Sequence, residues 1–163
     1  MGVLTNRTAA AKVTIMIPTK DRADFVVRLL RYYKGLSFQG RIIIGDSSGD
    51  EEFARVAAEV ERIGDKLEIN QHAYPGMNNA LCIQQMLDVV QTPYATLLPD
   101  DDFQVPNGIA DCVEFLDGHP DYNSAHGRAI IFVTETPGAH GVIQHTGAYP
   151  LPVIAADSAE CRV

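Results

Sequence analysis

The chain has 163 residues, 21 acidic against 13 basic side chains, and a formal net charge of −8. With 46% hydrophobic and 21% charged residues, it is neither disordered nor fibrous. One domain of this size buries roughly 70% of its unfolded surface, and its acidity argues against a nucleic-acid partner gripped by its phosphates.

A small phosphorylated ligand remains compatible with that charge, provided a metal ion intervenes. Cys82, Cys112 and Cys161 are far apart, odd in number and form no C-x-x-C pair, which argues against a disulfide framework or a zinc site. No apolar run approaches the roughly 18 residues of a membrane span. Residues 1–12 lack the apolar stretch of a signal peptide and read as a flexible lead-in. The expected location is cytoplasmic, peripheral to a membrane only through partners. In that location the glycosylation sequon Asn6-Arg7-Thr8 has no role.

The first strand is Val13-Thr14-Ile15-Met16-Ile17, stopped by Pro18, and the helix after it carries Phe25, Val26, Leu29, Leu30 and Tyr33 on one face. Arg41-Ile42-Ile43-Ile44 is a second strand, closed by Gly45. Ser48 with Glu51 three residues on forms a capping-box signature for a helix carrying Phe53, Val56, Ala57, Val60 and Ile63. Leu67-Glu68-Ile69 is a weaker third strand. A third helix begins near Gly76, with Ile83, Leu87 and Val90 as its stripe, and stops before Pro93. Tyr94 to Leu98 is the fourth strand. Pro106 suits the first position of a fourth helix, on which Ile109, Cys112, Val113 and Leu116 share a face. Arg128 to Thr134 makes a fifth strand, and beyond Thr136 the sequence turns loop-like.

This alternation predicts an α/β fold, a three-layer α/β/α sandwich around a mostly parallel central sheet. Ligands of such sheets bind at the carboxyl ends of the strands, so the strand ends are where function is sought. The fourth strand runs through Pro99 into Asp100-Asp101-Asp102, then Phe103-Gln104-Val105-Pro106. In extended chain Asp100 and Asp102 would point one way and Asp101 the other. Two such oxygen donors can hold Mg²⁺ or Mn²⁺ together with water and phosphate oxygens. A solvated acidic turn is the plainer alternative.

The second strand ends in Gly45-Asp46-Ser47-Ser48-Gly49-Asp50, where Asp46 can accept hydrogen bonds from a base or ribose. The first ends in Pro18-Thr19-Lys20-Asp21-Arg22, where Asp21 or Thr19 can cap the next helix. Arg22 and the backbone amides there could face a phosphate or a base. Asn78 and Asn79 open the third helix and could reach a ligand. His140 and His145 do not match a metal-ligand spacing and read as solvated loop residues. A serine hydrolase is disfavoured, because Gly45-Asp46-Ser47 lacks a matching Asp-x-x-His and no G-x-S-x-G elbow is present.

Together these strand ends resemble glycosyltransferase family 2, with its nucleotide-sugar-binding, Rossmann-like A-type fold. The resemblance runs from about Val13 to Thr134 and rests on three segments: Ile15 to Arg22, Ile42 to Ser48, and Leu97 to Pro106. The last is the most specific, since it resembles the family's D-x-D segment. It implies a metal-dependent, inverting transferase that takes a nucleoside-diphosphate sugar and delivers the sugar to a saccharide or other hydroxyl acceptor. Pro18, Thr19, Asp21, Arg22, Asp46, Asn79, Asp100 and Asp101 would then bind the donor. Asp46 and the backbone of Pro18 and Thr19 would meet the base, with Asp100 and Asp101 by the ribose and the metal-bound water. Asp102, helped by Asp100, would hold Mn²⁺ or Mg²⁺.

An inverting transferase also needs a general base. The acids after Asp102 are Asp111, Glu114, Asp117, Asp121, Glu135, Asp157 and Glu160, of which only Asp157 is a candidate. The absence of tryptophan excludes the Q-x-x-R-W motif of processive synthases. The expected organisation is therefore a lead at 1–12, a donor-binding domain at 13–136, and at 137–163 the irregular start of a truncated acceptor half. A partner chain or a second copy would complete the site. The competing expectations are a non-catalytic nucleotide-binding or assembly module and a nucleotidyltransferase. The latter is weakened because Pro18 to Arg22 is not glycine-rich.

Overall fold

The computed structural model describes residues 7–150. The chain divides between Ala125 and His126 into two compact units. In the first, β1 (Val13–Thr19), β2 (Arg41–Asp46), β3 (Glu68–Ala73) and β4 (Tyr94–Leu97) form one parallel sheet in the order β3-β2-β1-β4. The helices are α1 (Arg7–Ala10), α2 (Ala23–Gly35), α3 (Asp50–Ile63), α4 (Asn79–Asp88) and α5 (Pro106–Gly118). After β1 the chain steps outward through β2 to β3, then returns to the other side of β1 with β4. The switch in direction therefore lies between β1 and β4, where open α/β sheets bind ligands.

Period-two alternation explains the layers. Ile15, Ile17, Ile42 and Ile44 are wholly buried against Leu29 and Leu30 of α2 and Val56 and Ile63 of α3. Met16 and Ile43, on the opposite face, pack on Cys82 and Met86 of α4. The three-layer α/β/α architecture with a parallel sheet is as the alternation predicts. No helix among the described residues is long and apolar enough to cross a membrane.

Several expectations require correction. Residues 7–10 of the expected lead-in form α1, with Ala9 and Ala10 buried and Ala9 packed on Val13, Ala110 and Val113. Small side chains let this short segment lie close to α5, which composition alone does not reveal. The sequon residue Asn6 lies outside the described residues. Helix α4 buries Cys82 and Met86; of the expected stripe, Leu87 is 52% exposed and Ile83 half-buried, and only Val90, beyond the helix end, packs against that cluster. Close approach at Gly45 sets that phase: a Cβ there would stand 2.5 Å from the Met86 Sδ and 2.6 Å from the Cys82 Sγ.

In the second unit, β5 (Ala129–Thr134) and β6 (Ile143–Tyr149) form an antiparallel hairpin with an irregularity between Val133 and Thr134. The expected fifth strand exists, but it joins this hairpin and not the parallel sheet. The expected domain boundary at 136 falls inside this unit. Beyond Thr136 the chain is not all irregular: β6 is a polar strand, and its Gly147 and Thr146 conceal it from a hydrophobic pattern. His145 sits on β6 opposite Val133, and not in a loop.

The connections that follow β1 and β2 cap one another's helices. Ser48 does not cap α3; its Oγ accepts a 2.7 Å hydrogen bond from the Asp21 amide. Nor does Asp21 cap α2. Its Oδ1 accepts from the Gly49 amide at the start of α3, at 3.3 Å, while Glu52 of α3 accepts from the Ala23 amide at the start of α2, at 2.9 Å. Each helix thus receives a carboxylate from the other, where the helix dipole favours negative charge. Asp21 holds φ of +54°, a left-handed conformation that few non-glycine residues adopt. Asp21→Ala should cost about 1.5 kcal/mol through loss of the cap and retained backbone strain, and Asp21→Gly less, because it relieves the strain. Urea unfolding of both variants checks this, and equal losses would remove the strain from the account.

Candidate functional site

The carboxyl ends of β1, β2 and β4 and the start of α4 enclose a cavity of about 380 Å³. Pro18, Thr19, Lys20 and Arg22 line it from the β1 side and Ser47 from the β2 side. Met77, Asn78, Asn79 and Cys82 form the α4 wall, and Leu97, Pro99, Asp100 and Asp101 come from β4 and the turn after it. The three strand ends, far apart in sequence from Pro18 to Asp101, meet here because parallel strands all end at the same edge of the sheet.

Asp100 is the buried centre of the charge arrangement, with a side chain 5% exposed. Its Oδ2 accepts from the Thr19 hydroxyl at 2.8 Å, and its Oδ1 pairs with the Arg22 Nη1 at 2.8 Å. Burial pushes the Asp100 carboxyl up, while the Thr19 hydroxyl and the Arg22 guanidinium pull it down. Arg22 spans both carboxylates, since its Nη2 reaches the Asp101 Oδ2 at 3.0 Å. Its guanidinium lies 4.1 Å from the centre of the Phe25 ring. Arg28 donates to the Asp101 carbonyl at 2.9 Å and lies over Phe103 at 4.7 Å. Burial lowers its pKa, partly offset by Asp101 and Asp100.

The acidic run forms a turn rather than extended chain, and the Asp102 amide donates to the Pro99 carbonyl at 3.2 Å. Asp100 and Asp102 therefore do not present as an alternating pair: Asp100 is buried and Asp101 and Asp102 are exposed. Among the described residues no three His, Cys, Asp or Glu side chains gather to hold a metal ion. A hard divalent cation needs only one or two carboxylates when substrate phosphates complete its shell. Asp102, exposed and in no ion pair with a described residue, offers one carboxylate of that kind. These residues fit a cation that arrives with a diphosphate, not one caged by protein alone.

Of the expected site residues, Pro18, Thr19, Arg22, Asn79, Asp100 and Asp101 line the cavity, while Asp21, Asp46 and Asp102 do not. Asp46 shares the phase of Ile42 and Ile44 and faces the α3 side. It is buried, its Oδ1 accepting from the Ser48 amide and its Oδ2 from the Gln71 side chain, each at 3.0 Å. Asn78 uses its side chain to cap α4, accepting from the Leu81 amide at 3.0 Å. Asp157 lies outside the described residues. Lys20, Ser47, Met77 and Cys82 are lining residues that sequence reasoning missed. The position of Lys20 between Thr19 and Arg22 was a usable signal, whereas Cys82 becomes visible only once the phase of α4 is known. Burial also raises the Cys82 thiol pKa.

No protein-family model matches the chain, and no curated protein matches its sequence. Among solved structures it is similar to the mannosyltransferase PcManGT from Pyrobaculum calidifontis, a complex with GDP-Man and Mn²⁺. The TM-score is 0.56 at 18% identity, and the match covers 70% of this chain and 34% of that one. The likeness is one of fold: a Rossmann-like parallel sheet with flanking helices, with a cavity at its switch point.

Proposed function

We propose that this chain binds the nucleoside-diphosphate sugar donor of a metal-dependent, inverting glycosyl transfer of the family 2 type. The observation that carries this reading is the cavity at the β1–β4 switch point, where Asp100 and Asp101 stand with Arg22 and Lys20. In this reading Arg22 and Lys20 face the diphosphate, while Asp102 and Asp100 hold Mn²⁺ or Mg²⁺. The cation would offset the negative charge that develops on the departing nucleoside diphosphate. Thr19 and the backbone of Pro18 and Ser47 border the nucleoside, with Asn79 on the facing wall. Asp46 could meet the base only through lone pairs left over from Ser48 and Gln71. Asp21 supports the site by shaping its turn.

The solved mannosyltransferase with GDP-Man and Mn²⁺ supports this reading through its fold. The acceptor, a saccharide or other hydroxyl compound, and the base, for which Asp157 is the candidate, complete the reaction. Calorimetric titration of UDP, GDP, CDP and dTDP, with and without Mn²⁺, should show metal-dependent binding of at least one. Failure of all four would remove the donor site.

One observation favours a second reading, a nucleotide-binding module without transfer. Among the described residues the only carboxylates lining the cavity are Asp100 and Asp101, and Arg22 holds both. That reading predicts nucleotide binding with no release of sugar from GDP-mannose above background.

A further inference from the structure

The charge pattern of the cavity contains its own cation. Asp100 is buried, so its carboxylate requires a positive partner, and Arg22 supplies it at 2.8 Å while bridging to Asp101 at 3.0 Å. The guanidinium remains 40% exposed and rests on the Phe25 ring, which leaves it a path toward the cavity that it also lines. Arg28, by contrast, is held by the Asp101 carbonyl and lies over two rings, Phe25 at 5.1 Å and Phe103 at 4.7 Å. Arg28 is tied to a backbone carbonyl, whereas the partners of Arg22 are two carboxylates, the groups a cation can take over.

We propose that Arg22 is an internal counter-cation that occupies the Asp100–Asp101 carboxylates until a divalent cation and a nucleoside diphosphate arrive together. This rests on the donor-binding reading above. A divalent cation alone would find only Asp102 unengaged, and to gain Asp100 as well it would have to displace the Arg22 guanidinium. A diphosphate alone would meet Arg22 already spent on carboxylates. When both arrive, the cation would take over Asp100 beside Asp102, and the guanidinium fork would turn to phosphate oxygens, whose geometry it matches in a bidentate way. Phe25 holds the guanidinium plane through the exchange. The outcome is positive coupling, and linkage requires it to be reciprocal: the nucleotide tightens the cation by the factor by which the cation tightens the nucleotide. Arg22 is here a positioning residue whose role is to make single-ligand binding weak.

The test is the concentration of free Mn²⁺, read by electron paramagnetic resonance during titration of the full chain, with and without GDP. Without GDP, Arg22→Gln should bind Mn²⁺ about tenfold more tightly than the wild type, and the enhancement by GDP should shrink by a similar factor. Arg41→Gln, at the opposite end of the sheet, removes the same unit of charge and should leave both quantities near wild type. Arg22→Lys, which keeps the charge but not the fork, should fall between and serves as the second variant if Arg22→Gln does not fold. If Arg22→Gln and Arg41→Gln change Mn²⁺ affinity equally, or neither changes it, the counter-cation role is overturned. That result leaves the donor-binding reading intact as long as the wild type binds GDP with Mn²⁺. Absence of metal-dependent binding of GDP and of the other three nucleotides to the wild type would instead remove the donor-binding reading.

Discussion

Asp102→Ala should abolish the metal-dependent part of nucleotide binding while changing fold stability by no more than about 0.5 kcal/mol. The side chain is exposed, and no ion pair joins it to a described residue, so the fold spends nothing on it. Its neighbours Asp100 and Asp101 carry the same charge, and its removal relieves repulsion in the metal-free protein. As the one carboxylate of the run not engaged by Arg22, it is the direct cation contact in the proposed complex. Loss of that contact removes several kcal/mol, an affinity change on the order of a hundredfold or more. Calorimetry with GDP and Mn²⁺, paired with a urea melt, measures both quantities. An unchanged metal dependence would move the cation elsewhere.

The second large effect lies far from the site, in the clamp between α2 and α3. Glu59 is 5% exposed and is held by Arg62 and Arg31, the latter through Nε at 3.1 Å. Hydrogen bonds from Arg62, and then Arg31, hold its carboxyl at about 2 against the opposing effect of burial. A carboxyl whose pKa is depressed on folding adds stability above its unfolded value of 4.5. That contribution is lost as pH falls from there toward 2. Both arginines are half-exposed, so water screens part of the interaction, and the contribution is about 2 kcal/mol at neutral pH. Glu59→Gln should therefore be destabilised by about that amount at pH 7 in urea, with the gap to wild type closing between pH 4.5 and 2. A gap independent of pH would mean that packing and not charge carries the effect.

The sheet was legible because β-branched runs such as Ile42-Ile43-Ile44 are bounded by Pro and Gly, and because the helices between them repeat at 3.6 residues. What escaped depended on contacts between distant segments. Leu87 outranks Cys82 in hydrophobicity, yet the close approach at Gly45 admits Cys82 and Met86 to the core. Ser48 and Glu51 spell a capping box, but Asp21, held in a left-handed turn 27 residues earlier, donates its amide to Ser48. The cavity edge was readable as a set of strand ends, since Thr19, Arg22, Asp100 and Asp101 all line it. The partners of Asp46 were not, because the side chain of Gln71 enters only through the pairing of β2 with β3. Residues after Thr136 were misread for a simpler reason: a polar hairpin strand carries no hydrophobic alternation to detect.

The exchanged caps between the β1–α2 and β2–α3 connections bear on how this surface can vary. Asp21 serves Gly49, Glu52 serves Ala23, and Ser48 receives Asp21, so neither connection can gain or lose a residue without depriving the other of a partner. The lengths from Thr19 to Ala23 and from Asp46 to Glu52 are thus locked as a pair. Diversification of this surface must then proceed by substitution within these two turns rather than by insertion into either one.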